Sequence, residues 1–137
     1  MSTLGEFMTR DPFTLPASAK LLDALTFMRE KTVRHIPIVD DAGKLVGVVT
    51  DRDVKRATPT ALLRKRDEWE QVVNETPLER VMSRDPITGT PETPIKDVFL
   101  TFVEEKIGCM LVVDGQGALI GICTSPDLFR AALQLIP

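Results

Sequence analysis

An α+β fold made of one β-α-β-β-α unit written twice, as two pseudo-symmetric copies packed as one module, is what these 137 residues predict. Two observations carry that expectation. The first is self-similarity at a fixed offset of 74: MTRDP at 8–12 returns as MSRDP at 82–86, and GVVTDRD at 47–53 returns as GICTSPD at 121–127. Laid over each other without a gap, residues 7–57 and 81–131 agree at 16 of 51 positions, among them Asp23/Asp97, Gly47/Gly121, Thr50/Thr124, Asp53/Asp127 and Arg56/Arg130. Unrelated segments of average composition would agree at about three or four, so the chain repeats one unit of roughly 50 residues. The second is a switch of hydrophobic period within each copy, from helical spacing to short β-branched runs.

In the first copy, FTL at 13–15 is a short extended piece, and Ser18 is a candidate N-cap for a helix whose Leu21, Leu22, Leu25 and Met28 line one face. That helix is expected to end near Lys31. HIPIVD and KLVGVVT then read as two strands around a tight turn at Asp41-Ala42-Gly43, and DRDVKRA opens a second helix. In the second copy, Thr93-Pro94 stands as cap and first helical residue before an apolar face of Ile95, Val98, Phe99 and Phe102. Strands CMLVVD and ALIGICT follow around Gly115 and Gly117, then a final helix PDLFRAALQLI. The units are residues 1–57 and 81–137, joined by a helical linker at 58–80. Pro59 and Pro77 bracket the linker's exposed helix, which carries Trp69 and the charged run RKRDEWE.

Composition narrows the function classes. Hydrophobic residues at 43% with 27% charged, few aromatics and no tyrosine describe a globular chain with an aliphatic core. A net charge of −3 argues against a broad nucleic-acid-binding face, which needs clustered Lys and Arg. No apolar run reaches the roughly 18 residues that span a bilayer, and the N-terminus lacks the pattern of a secretory signal, so a cytoplasmic protein is expected. Cys109 and Cys123 have neither zinc-site spacing nor the density of a disulfide scaffold. His35, the single histidine, cannot build a metal site alone, and a structural role is its simpler reading. The methionines at 8, 28, 82 and 110 read as core filler.

The repeated Thr-x-x-Asp admits two readings. Thr50 with Asp53, and Thr124 with Asp127, have the spacing of a capping box at a helix start. The same helix start, with unpaired N–H groups, can also receive a polar ligand whose hydroxyls the aspartate accepts. Gly47 and Gly121 allow a ligand or another backbone to come close, which favours the second reading without removing the first.

MTRDPFT and MSRDPIT, with VRHIPIVDDAGKLVGVVTDRDV and IGCMLVVDGQGALIGICTSPDL, resemble the CBS (cystathionine β-synthase) domain family in its tandem pair. The resemblance implies two clefts about a pseudo-twofold axis that take adenosine-containing ligands. It implies that threonine and aspartate hold phosphate and ribose: Thr50 and Asp53 in one cleft, Thr124 and Asp127 in the other. For the Asp127 cleft it adds Asp11, Phe13, Arg34, His35 and Ile122. For the Asp53 cleft it adds Val48, Asp85, Ile87, Gly108 and Cys109, with Arg52 as a nearby cation whose counterpart is Pro126. Leu111 in place of Pro37 departs from the pattern and alters the base-binding wall.

The reading is thus a standalone regulatory module with no chemistry of its own, sensing AMP, ATP or another adenosyl compound such as S-adenosylmethionine. No cofactor is required and no metal is held. The chain has no GxxxxGK, GxSxG or HExxH motif. A homodimer is expected, because the helix faces Leu21–Met28 and Leu128–Leu135 carry more apolar surface than one small monomer covers; a regulated protein partner is expected but unidentified, and neither nucleic acid nor membrane is. The rival reading is a non-catalytic interaction or dimerisation protein with vestigial pockets.

Overall fold

The computed structural model describes residues 2–59 and 66–137. In chain order the elements are α1 (Leu4–Phe7), β1 (Thr9–Arg10), β2 (Leu15–Pro16), α2 (Leu21–Lys31), β3 (His35–Val39), β4 (Leu45–Thr50), α3 (Asp51–Ala57), α4 (Arg66–Glu75), a 3-10 turn at Leu78–Arg80, β5 (Ser83–Arg84), β6 (Thr88–Gly89), α5 (Ile95–Glu105), β7 (Cys109–Val113), β8 (Leu119–Thr124) and α6 (Ser125–Leu135). Each copy therefore reads β-β-α-β-β-α, the expected β-α-β-β-α preceded by one further short strand, and Thr50 and Thr124 close equivalent strands. Of the charged run, Arg64 and Lys65 lie outside the described residues.

Space divides the chain differently from the repeat. One compact unit holds Met1–Pro12, Gly43–Leu45 and Pro86–Pro137; the other holds Phe13–Ala42 and Val46–Asp85. They are called here the Asp127 unit and the Asp53 unit. The Asp127 unit has a sheet of order β1-β8-β7-β6, and the Asp53 unit one of order β2-β3-β4-β5. Each copy's opening strand therefore completes the sheet of the other copy. Thr9 pairs with Ile122 and Arg10 with Gly121, while Ser83 pairs with Val48 and Arg84 with Gly47, all antiparallel. The chain leaves each opening strand through an Asp-Pro step in which the aspartate has positive φ, 49° at Asp11 and 54° at Asp85. Aspartate tolerates that left-handed conformation better than most residues, and proline prevents the strand from continuing.

Matched positions build both cores. Leu21, Ala24, Ile36, Ile38, Val49 and Val54 are buried in the Asp53 unit, and their partners at the offset, Ile95, Val98, Met110, Val112, Cys123 and Leu128, are buried in the Asp127 unit. The repeat reaches upstream of residues 7 and 81, to the identical Leu4 and Leu78. Both leucines are fully buried, each in the core of the unit built mainly from the other copy. Their backbones dock alike: Leu4 N–H donates to Thr93 O at 2.8 Å, and Leu78 N–H to Ala19 O at 2.8 Å. All four methionines noted above lie in or against these cores.

Local details depart from expectation at three places. The cap of α2 is Lys20, not Ser18: the Asp23 carboxylate accepts the Lys20 N–H at 2.8 Å, and Ser18 falls too early to serve. Pro94 is the N-cap of α5 and not its first residue, while Thr93 Oγ1 accepts the Thr90 N–H at 2.9 Å in the preceding turn. The linker helix is amphipathic and not simply exposed, since Val73 is buried and Trp69 and Val72 pack against the Asp53 unit's core. The turns hold as read, with Gly43 at φ 81° and Gly117 at φ 83°.

Gly47 and Gly121 face the opening strands. A Cβ on Gly47 would lie 2.7 Å from Met82 Sδ and 2.9 Å from Ser83 O, and one on Gly121 would lie 2.6 Å from Met8 Sδ. The close approach they permit is that of another backbone and its methionine, one of the two anticipated neighbours. Gly47→Ala is expected to destabilise the protein by about 1–3 kcal/mol through overpacking. Its urea midpoint should fall; an unchanged midpoint would show that β5 gives way at no cost.

Candidate functional site

Each Thr-x-x-Asp pair sits where a strand passes directly into a helix, β4 into α3 and β8 into α6. In the Asp53 unit the capping box is reciprocal: the Thr50 N–H donates to Asp53 Oδ2 at 2.9 Å, and the Asp53 N–H donates to Thr50 Oγ1 at 3.2 Å. In the Asp127 unit the Thr124 N–H again donates to the aspartate, at 2.9 Å to Oδ2, but the Thr124 hydroxyl also turns to that oxygen, at 3.4 Å. Asp127 Oδ1 meanwhile accepts from Thr9 Oγ1 at 3.1 Å and from the Arg130 guanidinium. Capping thus accounts structurally for both pairs. Thr9 and Arg130 were missed by motif reading, although Arg130 is identical to Arg56 and Thr9 keeps the hydroxyl of Ser83.

The remaining candidates divide between the units. The Asp53 unit contains Val48, Thr50, Arg52, Asp53 and Asp85 as well as Phe13, Arg34 and His35. The Asp127 unit holds Asp11, Ile122, Thr124 and Asp127 together with Ile87, Gly108 and Cys109. Val48 and Ile122 are buried at matched strand positions, whereas Asp11, Asp85, Arg34, Arg52 and Gly108 are exposed. Phe13 is exposed at its edge, packs edge-on to Phe27 with ring centroids 5.6 Å apart, and carries Lys31 Nζ 4.9 Å above its ring.

Electrostatics make nucleophilic chemistry at the cysteines implausible. Burial pushes Cys109 up to about 12, and burial with the neighbouring Asp127 charge does the same to Cys123. Neither supplies thiolate at neutral pH. Burial lowers the pKa of His35; the nearby Asp51 charge pulls it upward and Arg34 pushes it down. Burial therefore favours its neutral form. Among the described residues no cluster of three or more His, Cys, Asp or Glu could hold a metal ion, and no helix is long and apolar enough to cross a membrane. A polar surface depression lined by Glu68, Gln71, Val72, Glu75, Thr76 and Arg80 shares no residue with either Thr-Asp pair.

A family model for the CBS domain matches residues 4–59 and 78–134. The chain belongs to the CBS domain family. Both CBS matches begin at the buried leucines, Leu4 and Leu78, that the offset relates. The fold is similar to that of CBSX2 of Arabidopsis thaliana, solved in complex with AMP, at TM-score 0.84 and 31% identity over 98% of each chain. It is similar as well to the CBS domain pair of protein MJ0100, solved with 5′-methylthioadenosine and S-adenosyl-L-methionine, at TM-score 0.80 and 26% identity over 99% of each chain. A homoserine O-acetyltransferase of Methanohalophilus mahii is 30% identical over 92% of this chain, yet the match spans only 23% of that enzyme. The similarity to the enzyme is thus confined to the CBS pair and about a quarter of its length.

Proposed function

We propose that this CBS pair is a regulatory module that senses an adenosine-containing ligand, AMP, ATP or an adenosyl compound such as S-adenosylmethionine, and catalyses nothing itself. The observation that carries the reading is the Thr-x-x-Asp pair set at a strand-to-helix junction in both copies, in a fold similar to pairs solved with AMP and with S-adenosylmethionine. Asp53 accepts the ribose hydroxyls, and Thr50, with Arg52 as cation, meets phosphate. By family resemblance Val48 and Asp85 belong to that site, and Asp11, Ile122 and Thr124 to its counterpart. The module works in the cytoplasm on a protein partner not yet identified.

A thermal-shift panel of AMP, ADP, ATP, NAD, cyclic dinucleotides and S-adenosylmethionine tests the reading. A ligand at 100 times its Kd stabilises the native state by about 2.7 kcal/mol. Asp53→Ala should weaken the responding ligand roughly tenfold or more, because hydrogen bonds to a carboxylate contribute about 1.5–3 kcal/mol. If no adenosyl compound shifts the melting temperature, the interaction-protein reading takes its place.

Homodimerisation is proposed through α5 and α6 rather than through α2. The apolar face of α2 is already engaged, as Leu21 is buried and Leu22, Leu25 and Met28 pack into their own unit. Val103, Phe129, Leu133 and Ile136, by contrast, are 74%, 69%, 76% and 65% exposed. At the offset, Val103 and Phe129 correspond to Arg29 and Lys55, so only one copy is apolar on this face. Light scattering should report a dimer that Phe129→Glu with Leu133→Glu dissociates. A monomeric parent at tens of micromolar, on the order of ordinary interface affinities, would refute this arrangement.

A further inference from the structure

We infer that the two copies are unequal as ligand sites: Thr9 and Arg130 close the Asp127 carboxylate to a ligand's hydroxyls, while Asp53 keeps an oxygen open to a ribose diol. The inference rests on the adenosine-sensing reading and specifies which copy performs it. Asp127 is then a positioning residue, tying the opening strand β1 to the start of α6.

The two carboxylates have different occupancy. An ionised carboxylate accepts about four hydrogen bonds. Asp127 has four donors, Thr9 Oγ1 and the Arg130 guanidinium on Oδ1, and the Thr124 N–H and hydroxyl on Oδ2. Only 2% of the residue is exposed. A ribose diol needs two unoccupied lone pairs within reach, and Asp127 offers none. Asp53 is half-buried, and its Oδ2 takes the Thr50 N–H. Among the described residues no donor bonds to its Oδ1. The missing donors are not missing from the sequence: Ser83 and Arg56 occupy the matched positions, exposed as Thr9 and Arg130 are, but neither bonds to Asp53. Threonine's branched Cβ restricts its χ1 at Thr9, a restriction that the unbranched Ser83 lacks.

Calorimetry with AMP on the full chain tests the inequality. The parent should take one AMP per chain. Thr9→Val combined with Arg130→Met strips both donors from Asp127 Oδ1 and should raise the count to two, with the added site lost for 2′,3′-dideoxyadenosine monophosphate. Arg130→Lys keeps the charge pair and the count of one, and Ser83→Val with Arg56→Met should leave the count unchanged. Two AMP per chain in the parent, or a folded Thr9→Val/Arg130→Met variant that still takes one, overturns the inference. Thermal unfolding supplies a readout independent of ligand and of how the double variant folds. Thr9→Val and Asp127→Asn should be non-additive, while Ser83→Val and Asp53→Asn should add; additivity in both cycles refutes the lock. Should AMP bind nowhere, the sensing reading fails, and these cycles still decide whether Asp127 is engaged and Asp53 open.

Discussion

Leu78→Ala is expected to destabilise the protein by about 2–5 kcal/mol, the loss that follows removal of a fully buried leucine side chain and incomplete collapse of the cavity. The size of the effect is informative because Leu78 falls in the stretch that reads as a linker, where truncation to alanine would change stability by no more than about 0.5 kcal/mol. Leu78 is instead fully buried among Leu21, Ile36 and Val49, with its N–H bonded to Ala19 O. Leu4→Ala should lose a similar amount, since Leu4 occupies the matched position in the Asp127 unit. Urea unfolding with the slope held constant measures both. A loss below about 1 kcal/mol at either position would mean that the opening segment docks on its unit without supporting it.

Asp127→Ala is expected to destabilise by about 2–4 kcal/mol, against about 1 kcal/mol for Asp53→Ala. Both substitutions remove the carboxylate that caps its helix at the threonine N–H, a loss of about 1 kcal/mol each. Only Asp127→Ala also removes the acceptor of the Thr9 hydroxyl, a part-buried hydrogen bond to a charged carboxylate. Arg130 adds little to the difference, because its side chain is 61% exposed and returns to water when its partner is lost. Equal losses at the two aspartates, measured by urea unfolding at neutral pH, would show that the extra donors on Asp127 contribute nothing to stability.

Much of this protein is set by pattern alone. A fixed offset with matching Gly, Thr and Asp positions specifies two equivalent units, because residues with narrow conformational or hydrogen-bonding uses recur only where the same local geometry recurs. The order of strands and helices follows from hydrophobic period, and the capping boxes follow from a spacing of three. The tandem CBS family was legible for the same reason: its motifs are local strings. Those strings also named Thr50, Asp53, Thr124 and Asp127 as equivalent pairs.

What only the tertiary structure decided is which partner each string meets. Nothing local says that MTRDP completes the sheet containing Gly121, or that Leu4 and Leu78 each enter the core of the unit built mainly from the other copy, because strand pairing and core packing join residues distant along the chain. Nor does a shared Thr-x-x-Asp reveal that one carboxylate is saturated and the other half open. That difference lies in Thr9, 118 residues from Asp127, and in how far the Arg130 side chain reaches. Sequence specifies which groups a position offers; burial and the donors that arrive from elsewhere in the fold decide which of them remain available to a ligand.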